Sequence, residues 1–216
     1  MNLPELDRLV SQLIPTPPNP SDDPDGFVAA FCALGWRLRK SSQIISSSEL
    51  AQLKQAGISD PQRLSLTELA RAALLCRGFS AMPMEQQVPL LREMFRTGDN
   101  AEREAVLKSL ILLPAPERFV DIALDACRSS VQTTVEAITL YNWFPDRYFS
   151  TESYRGMVLK ALHLGLPLAR IDGLADHVDA ELTRMAAAYA SERRAAGRTI
   201  PADIDLLTHR SPASCS

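Results

Sequence analysis

Eight side chains in this 216-residue chain are of types that bind or react and sit in settings that set them apart: Glu136, Asn142, Tyr148, Lys160, Arg170, Tyr189, Glu192 and Arg193. Arg193 continues the apolar stripe of Leu182, Met185, Ala186 and Tyr189 on a helix predicted over 179–196. A guanidinium on that face needs a carboxylate or carbonyl partner, because an unpaired buried charge is costly. It either binds an anion or a protein partner, or it forms a structural pair or snorkels at a helix end. Glu192 is its neighbour in sequence and points elsewhere. Lys160 lies within Met157-Val158-Leu159-Lys160-Ala161-Leu162. A desolvated lysine there is a base or Schiff-base former; the alternative is a packed stem with its ammonium in water.

The run Asn142-Trp143-Phe144-Pro145-Asp146-Arg147-Tyr148-Phe149 puts four aromatics into one predicted interhelix loop. They line a pocket or partner surface, or they plug the end of the helical array with Asn142 capping backbone. In Arg170-Ile171-Asp172-Gly173-Leu174, Gly173 suits a turn with positive φ, and Arg170 and Asp172 either anchor helices or touch a ligand. An enzyme would need Lys160, Glu136 and Tyr189 to converge in one concave site. Helix projection puts Glu136 on the Gln132–Thr139 side, away from Val131 and Ile138, which works against that convergence.

The common catalytic and nucleotide-binding motifs are absent: there is no GxGxxG, GxxxxGK[ST], GxSxG or HExxH. His163, His177 and His209 are scattered, so neither a metal nor a cofactor is expected. Cys32, Cys76 and Cys127 sit in apolar helical stretches and read as small hydrophobes. The formal net charge is -3 and there is no basic stripe, which argues against nucleic acid. The run Arg37-Leu38-Arg39-Lys40 reads as the positive end of a helix. The first residues carry early acids and no basic region before an apolar run, so no signal peptide is expected. No stretch approaches the roughly 20 apolar residues a membrane helix needs. These features predict a cytoplasmic protein that touches membranes only through a partner.

The elements that position these residues are helices. Leu3, Leu6, Val10 and Leu13 mark a first helix, followed by a proline-rich linker over 15–24. Phe27, Phe31, Leu34 and Leu38 mark a second. A loop is predicted over 41–48, a short helix through Leu50 and Leu53, and a helix capped by Ser65 or Thr67 that ends near Gly78. Pro89 should kink or break the next one, over 84–95. Helices over 101–113, 116–127 and 131–140 follow with short loops between them. The helix over 151–166 is apolar nearly all round, which predicts a central position. No segment alternates apolar and polar residues as a strand does. The expected fold is all-α: stacked antiparallel helical hairpins forming an irregular HEAT-like α-solenoid. The expected organisation is an N-terminal helix and linker over 1–24, a helical domain over 25–207 and a flexible tail over 208–216.

Several of these segments together resemble the EboA family. They are Thr134-Val135-Glu136-Ala137-Ile138, Asn142 through Pro145, Tyr148-Phe149, Met157 through Ala161, Arg170 through Leu174, and Tyr189 through Arg198. The family pattern runs approximately EAI-x-x-x-NPYP-x-x-YF, then MVLKA, then a YAHERWAAGR-like end. Here Trp143 and Phe144 stand in place of Pro and Tyr, Ser191 in place of His, and Arg194 in place of Trp. The resemblance implies a bacterial operon that moves secondary-metabolite precursors toward the periplasm. Its implied partners are the other ebo-cluster proteins, including a UbiA-like membrane prenyltransferase, and a small-molecule metabolite. The expected role is a non-catalytic helical adaptor. The rivals are an enzyme acting on a small aromatic or prenylated metabolite, and a generic HEAT-like interaction scaffold.

Overall fold

Short polar residues ahead of apolar runs start many of the longer helices, because they satisfy backbone N–H groups that have no partner inside the helix. Asp23 caps Gly26, Ser150 caps Ser153 and Asp179 caps Leu182. Ser65 with Glu68, and Asp99 with Glu102, form reciprocal capping boxes. In the computed structural model, residues 4–39 and 45–208 are described. They form α1 (Pro4–Leu13), α2 (Pro24–Leu38), α3 (Ser47–Ala56), α4 (Leu66–Ala81), α5 (Met84–Thr97), α6 (Asn100–Ser109) and α7 (Val120–Cys127). These are followed by α8 (Gln132–Thr139), α9 (Phe144–Tyr148), α10 (Thr151–Leu164), α11 (Leu174–His177), α12 (Ala180–Ala195) and α13 (Asp205–Thr208). There is no strand among the described residues, only an isolated antiparallel bridge between Ile58 and Asn142.

The helices α4, α6, α8 and α10 pack each on the next and form a central row. Against this row lie α1 and α2 on α4, α5 on α6, α7 on α8, and α12 on α10. One apolar cluster runs from Leu6 to Leu207, so α1 shares the core of the rest. The α10 helix buries Tyr154, Met157, Val158, Ala161 and Leu162 and touches α7, α8, α11 and α12, but it keeps Gly156 and His163 exposed.

Two elements differ from the sequence expectation, and of the two outcomes expected at Pro89 one is excluded. The α4 helix does not end near Gly78 but runs on to Ala81. Gly78 serves close packing instead: a Cβ there would lie 2.6 Å from the Phe27 ring of α2. Pro89 does not break α5, which continues to Thr97. The carbonyl left without its helical donor, that of Glu85, belongs to an exposed residue, so forfeiting the bond does not bury an unpaired group. The aromatic run over 142–149 is not all loop, because Pro145 sits in the first turn of α9, where a missing N–H costs nothing. Leu3, Lys40, part of the predicted 41–48 loop, His209, Cys215 and the tail from residue 209 lie outside the described residues.

The N-terminal helix is tied down by exchanged carboxylates. Glu49 of α3, only 2% exposed, accepts from the Glu5 and Leu6 amides at 2.6 and 3.2 Å. Glu5 in return accepts from the Ser46 amide at 3.0 Å. Burial pushes the Glu49 carboxyl up, its two backbone donors oppose this, and the Glu5 charge adds to it. Glu49→Ala orphans two amides at the start of α1 and should cost about 1–3 kcal/mol. Hydrogen exchange should speed up in α1 while α6 and α8 keep their protection; uniform loss across all three would contradict a local clasp.

Candidate functional site

The Leu140–Asn142 junction after α8 holds the densest set of specific contacts among the predicted site residues. The Asn142 carboxamide is 5% exposed and uses both ends. Its Nδ2 donates to the Ala137 carbonyl at 3.1 Å and the Leu107 carbonyl at 3.4 Å, and its Oδ1 accepts from the Phe144 amide at 3.0 Å. One side chain thus joins the end of α6, the end of α8 and the start of α9. The Ile58 bridge adds the segment after α3. Directly before it, Tyr141 has φ 54°, the left-handed region that a bulky residue rarely adopts. Its amide donates to the Arg170 carbonyl at 2.9 Å. Residues held this way cost on the order of 1–3 kcal/mol and persist only where surrounding contacts over-determine them.

Tyr141 opens onto a cleft of about 360 Å³. The guanidiniums of Arg63 and Arg170 lie over its ring at 4.4 and 5.7 Å from the centroid. Leu64, Leu140 and Pro167 give apolar wall, and Asp60, Glu104, Lys108 and Glu136 give charge. Lys108 pairs with Glu68 of α4, and Glu136 accepts from Gln132 at 2.7 Å. Burial raises the Glu68 carboxyl, but the Lys108 and Ser65 hydrogen bonds outweigh it and hold the group below its usual range. Glu136 is half-buried, and Thr139 on its side of α8 is fully buried, so the Gln132–Thr139 side that helix projection turns away from Val131 and Ile138 is partly covered.

Of the eight sequence candidates, Glu136, Asn142 and Arg170 meet in this cleft. Tyr189, Glu192 and Arg193 line a separate depression of about 240 Å³ beside His163. There Arg193 donates to the Thr199 carbonyl at 2.9 and 2.7 Å and lies over the Tyr189 ring, which makes it a fastener for the chain leaving α12. Tyr148 packs on Phe144 with ring centroids 5.0 Å apart, inside an aromatic cluster with Phe149. Lys160 is half-buried on α10 and lines neither depression. Lys160, Glu136 and Tyr189 therefore do not converge. Sequence reasoning missed Tyr141, Arg63, Glu104 and Lys108. The only signal for Tyr141 was its place beside Asn142 at the end of a helix.

Residues 19–208 match the family described as metabolite traffic protein EboA. The chain belongs to the EboA family. No curated protein and no solved structure matches it. The matched span takes in the whole Tyr141 cleft.

In this EboA-family chain a second polar cluster locks α9 and α11 to the body. His177 Nε2 meets Asp146 Oδ1 at 3.0 Å, and the imidazole stacks on Tyr154 with centroids 3.8 Å apart. The Tyr154 hydroxyl donates to the Asp172 carbonyl at 2.8 Å, and Ser59 donates to the Asp172 carboxylate. Gly173 has φ 73°, and a Cβ there would fall on the Asp146 carboxylate. Burial pushes the Tyr154 phenol up, and burial pushes Cys32, Cys76 and Cys127 up to about 12, which favours the protonated thiol at neutral pH. Among the described residues, no helix is long and apolar enough to cross a membrane and no group of three or more His, Cys, Asp or Glu is placed to hold a metal.

Asn142→Ala leaves the Ala137 carbonyl and the Phe144 amide without this partner, while the Leu107 carbonyl keeps the Leu110 amide, and it should cost about 1–3 kcal/mol, read by chemical denaturation. A cost near zero would remove Asn142 from its role as the joint. Asp172 gives a pH test. Burial raises its carboxyl above the ordinary 3.8, the Ser59 hydroxyl lowers it, and the Asp146 charge raises it again; the net shift is upward. A raised carboxyl contributes stability below 3.8 that is lost as pH climbs through its folded value. Asp172→Asn keeps an acceptor for Ser59 and has no charge to bury. Its melting temperature should gain on the parent as pH rises from below 3.8 to neutrality; a gap that stays constant or shrinks would contradict the assignment.

Proposed function

We propose that this protein is a non-catalytic helical adaptor in metabolite traffic, holding a small aromatic metabolite in the Tyr141 cleft and presenting it to protein partners. The observation that carries this reading is Tyr141 itself: a strained aromatic, locked by the Asn142 joint and flanked by two guanidiniums, at the mouth of a cleft of ligand size. Strain of this kind clusters at binding sites because it presets the geometry that a ligand needs. The family description supports the metabolite. The irregular HEAT-like stack of helical hairpins in our reading leaves broad outer surfaces for partners. Those partners are the other ebo-cluster proteins, including a UbiA-like membrane prenyltransferase, which supplies the membrane contact. The adaptor works on the cytoplasmic side and feeds precursors toward the periplasm. The separation of Lys160, Glu136 and Tyr189 favours this over catalysis.

The test is purification of the tagged chain from cells expressing the intact gene cluster, with mass spectrometry of retained proteins and small molecules. The parent should carry at least one cluster protein and a low-mass compound. Tyr141→Gly relieves about 1–3 kcal/mol of left-handed strain. That relief offsets the lost ring contacts, so the variant should melt near the parent yet emerge without the compound. Neither a partner nor a compound on the parent would overturn the reading.

A further inference from the structure

We infer that the Tyr141 cleft selects a planar aromatic monocarboxylate of one or two rings, its carboxylate read by the Arg63 and Arg170 guanidiniums. This rests on the cleft being the metabolite site proposed above. The argument begins with which cations remain available. Lys108 is engaged by Glu68. Arg63 and Arg170 lie against one aromatic ring, at 4.4 and 5.7 Å. Among the described residues, neither makes an ion pair or donates a side-chain hydrogen bond to protein. A guanidinium over an aromatic ring is held in orientation by the ring, while its edge N–H groups stay free for an acceptor. Two such forks beside one ring suit a carboxylate, whose two oxygens accept paired N–H bonds. Protein arginines that serve only architecture usually find a carbonyl or carboxylate, as Arg193 does with Thr199 and Arg71 does with Phe31 and Glu102.

The remaining groups narrow the ligand. Asp60, Glu104 and Glu136 also line the cleft, and with Lys108 engaged by Glu68 these acids outnumber the two remaining guanidiniums. A singly charged anion can sit against the two arginines, whereas a phosphate dianion brings a second negative charge toward Asp60, Glu104 and Glu136 and is repelled more. The volume of about 360 Å³ lies at the small end of ligand pockets, which fits one or two rings. Leu64, Leu140 and Pro167 offer apolar wall beside the guanidinium planes, the lining a flat ring prefers over a flexible chain.

Calorimetric titration of the full chain with 2-naphthoate, 2-naphthamide and 2-naphthyl phosphate tests the assignment. The parent should bind 2-naphthoate about tenfold or more tightly than either the amide or the phosphate, the scale of one charge-assisted contact. Arg63→Gln and Arg170→Gln should each weaken 2-naphthoate by about tenfold, and the double variant should no longer prefer acid over amide. Both residues are exposed, so melting temperatures should stay at the parent value and a loss cannot be misfolding. Equal binding of amide and acid, undiminished binding in the glutamine variants, or no binding of 2-naphthoate by the parent would each overturn the ligand class. If the protein from cluster-expressing cells still retains a neutral or aliphatic compound in a Tyr141-dependent way, only the ligand class fails. If it retains no Tyr141-dependent compound, the metabolite reading fails with it.

Discussion

The carboxamide of Asn142 is a joint on which the candidate site depends. It sits where α6, α8 and α9 come together, and three backbone groups there have it as a partner. A carboxamide suits the position because it donates and accepts at once, which neither a carboxylate nor a hydroxyl of similar reach does as well. With Asn142 fixed, the chain before it has little freedom. The preceding amide bonds to the Arg170 carbonyl, and Tyr141 is driven into a left-handed conformation that aims its ring at the cleft. Buried polar joints of this sort are expensive when incomplete and specific when complete.

The rest of the molecule combines an apolar row with a few polar fasteners. The central α4–α6–α8–α10 row is held by burial, which is non-directional and tolerates some sliding. Register comes from directional contacts at its edges. Glu49 and Glu5 fasten α1 to α3, Glu68 and Lys108 fasten α4 to α6, and Arg155 and Asp179 fasten α10 to the start of α12. His177, Asp146, Tyr154 and Asp172 fasten the short helices α9 and α11 on either side of α10 in the chain. The cleft lies where two of these regions face each other, between the segment after α3 and the turn at Arg170. Its charged lining comes from Asp60 and Arg63 on one side, Arg170 on the other, and Glu104, Lys108 and Glu136 of α6 and α8.

Much of the fold was legible because helices report themselves locally. Asp23, Ser65, Asp99, Ser150 and Asp179 each stand before an apolar run and each caps it. The exceptions have tertiary causes. Gly78 looked like a stop because the packing of Phe27 against it cannot be seen along the chain. The segment after Asn142 looked like loop because α9 is one short turn stabilised by its neighbours. The site was legible in part. Glu136, Asn142 and Arg170 were singled out by residue type and by the family pattern, and they do meet. Arg193 was marked as inward, and its partner proved to be a backbone carbonyl.

The sequence by itself determined the helical class, most helix starts, the absence of recognisable catalytic motifs, and the family, because each is written in local spacing and residue type. Only the tertiary structure decided which of the chemically capable residues lie together. Arg63 looks like any exposed arginine in its own segment, and Tyr141 looks like a helix-end aromatic. Their meeting with Arg170 depends on how α3, α8 and the turn at Pro167 are brought side by side. Nothing local encodes positive φ at a tyrosine either; it follows from hydrogen bonds made by residues far apart in the chain. Local free energies choose the elements, whereas the site arises from contacts that exist only once those elements pack.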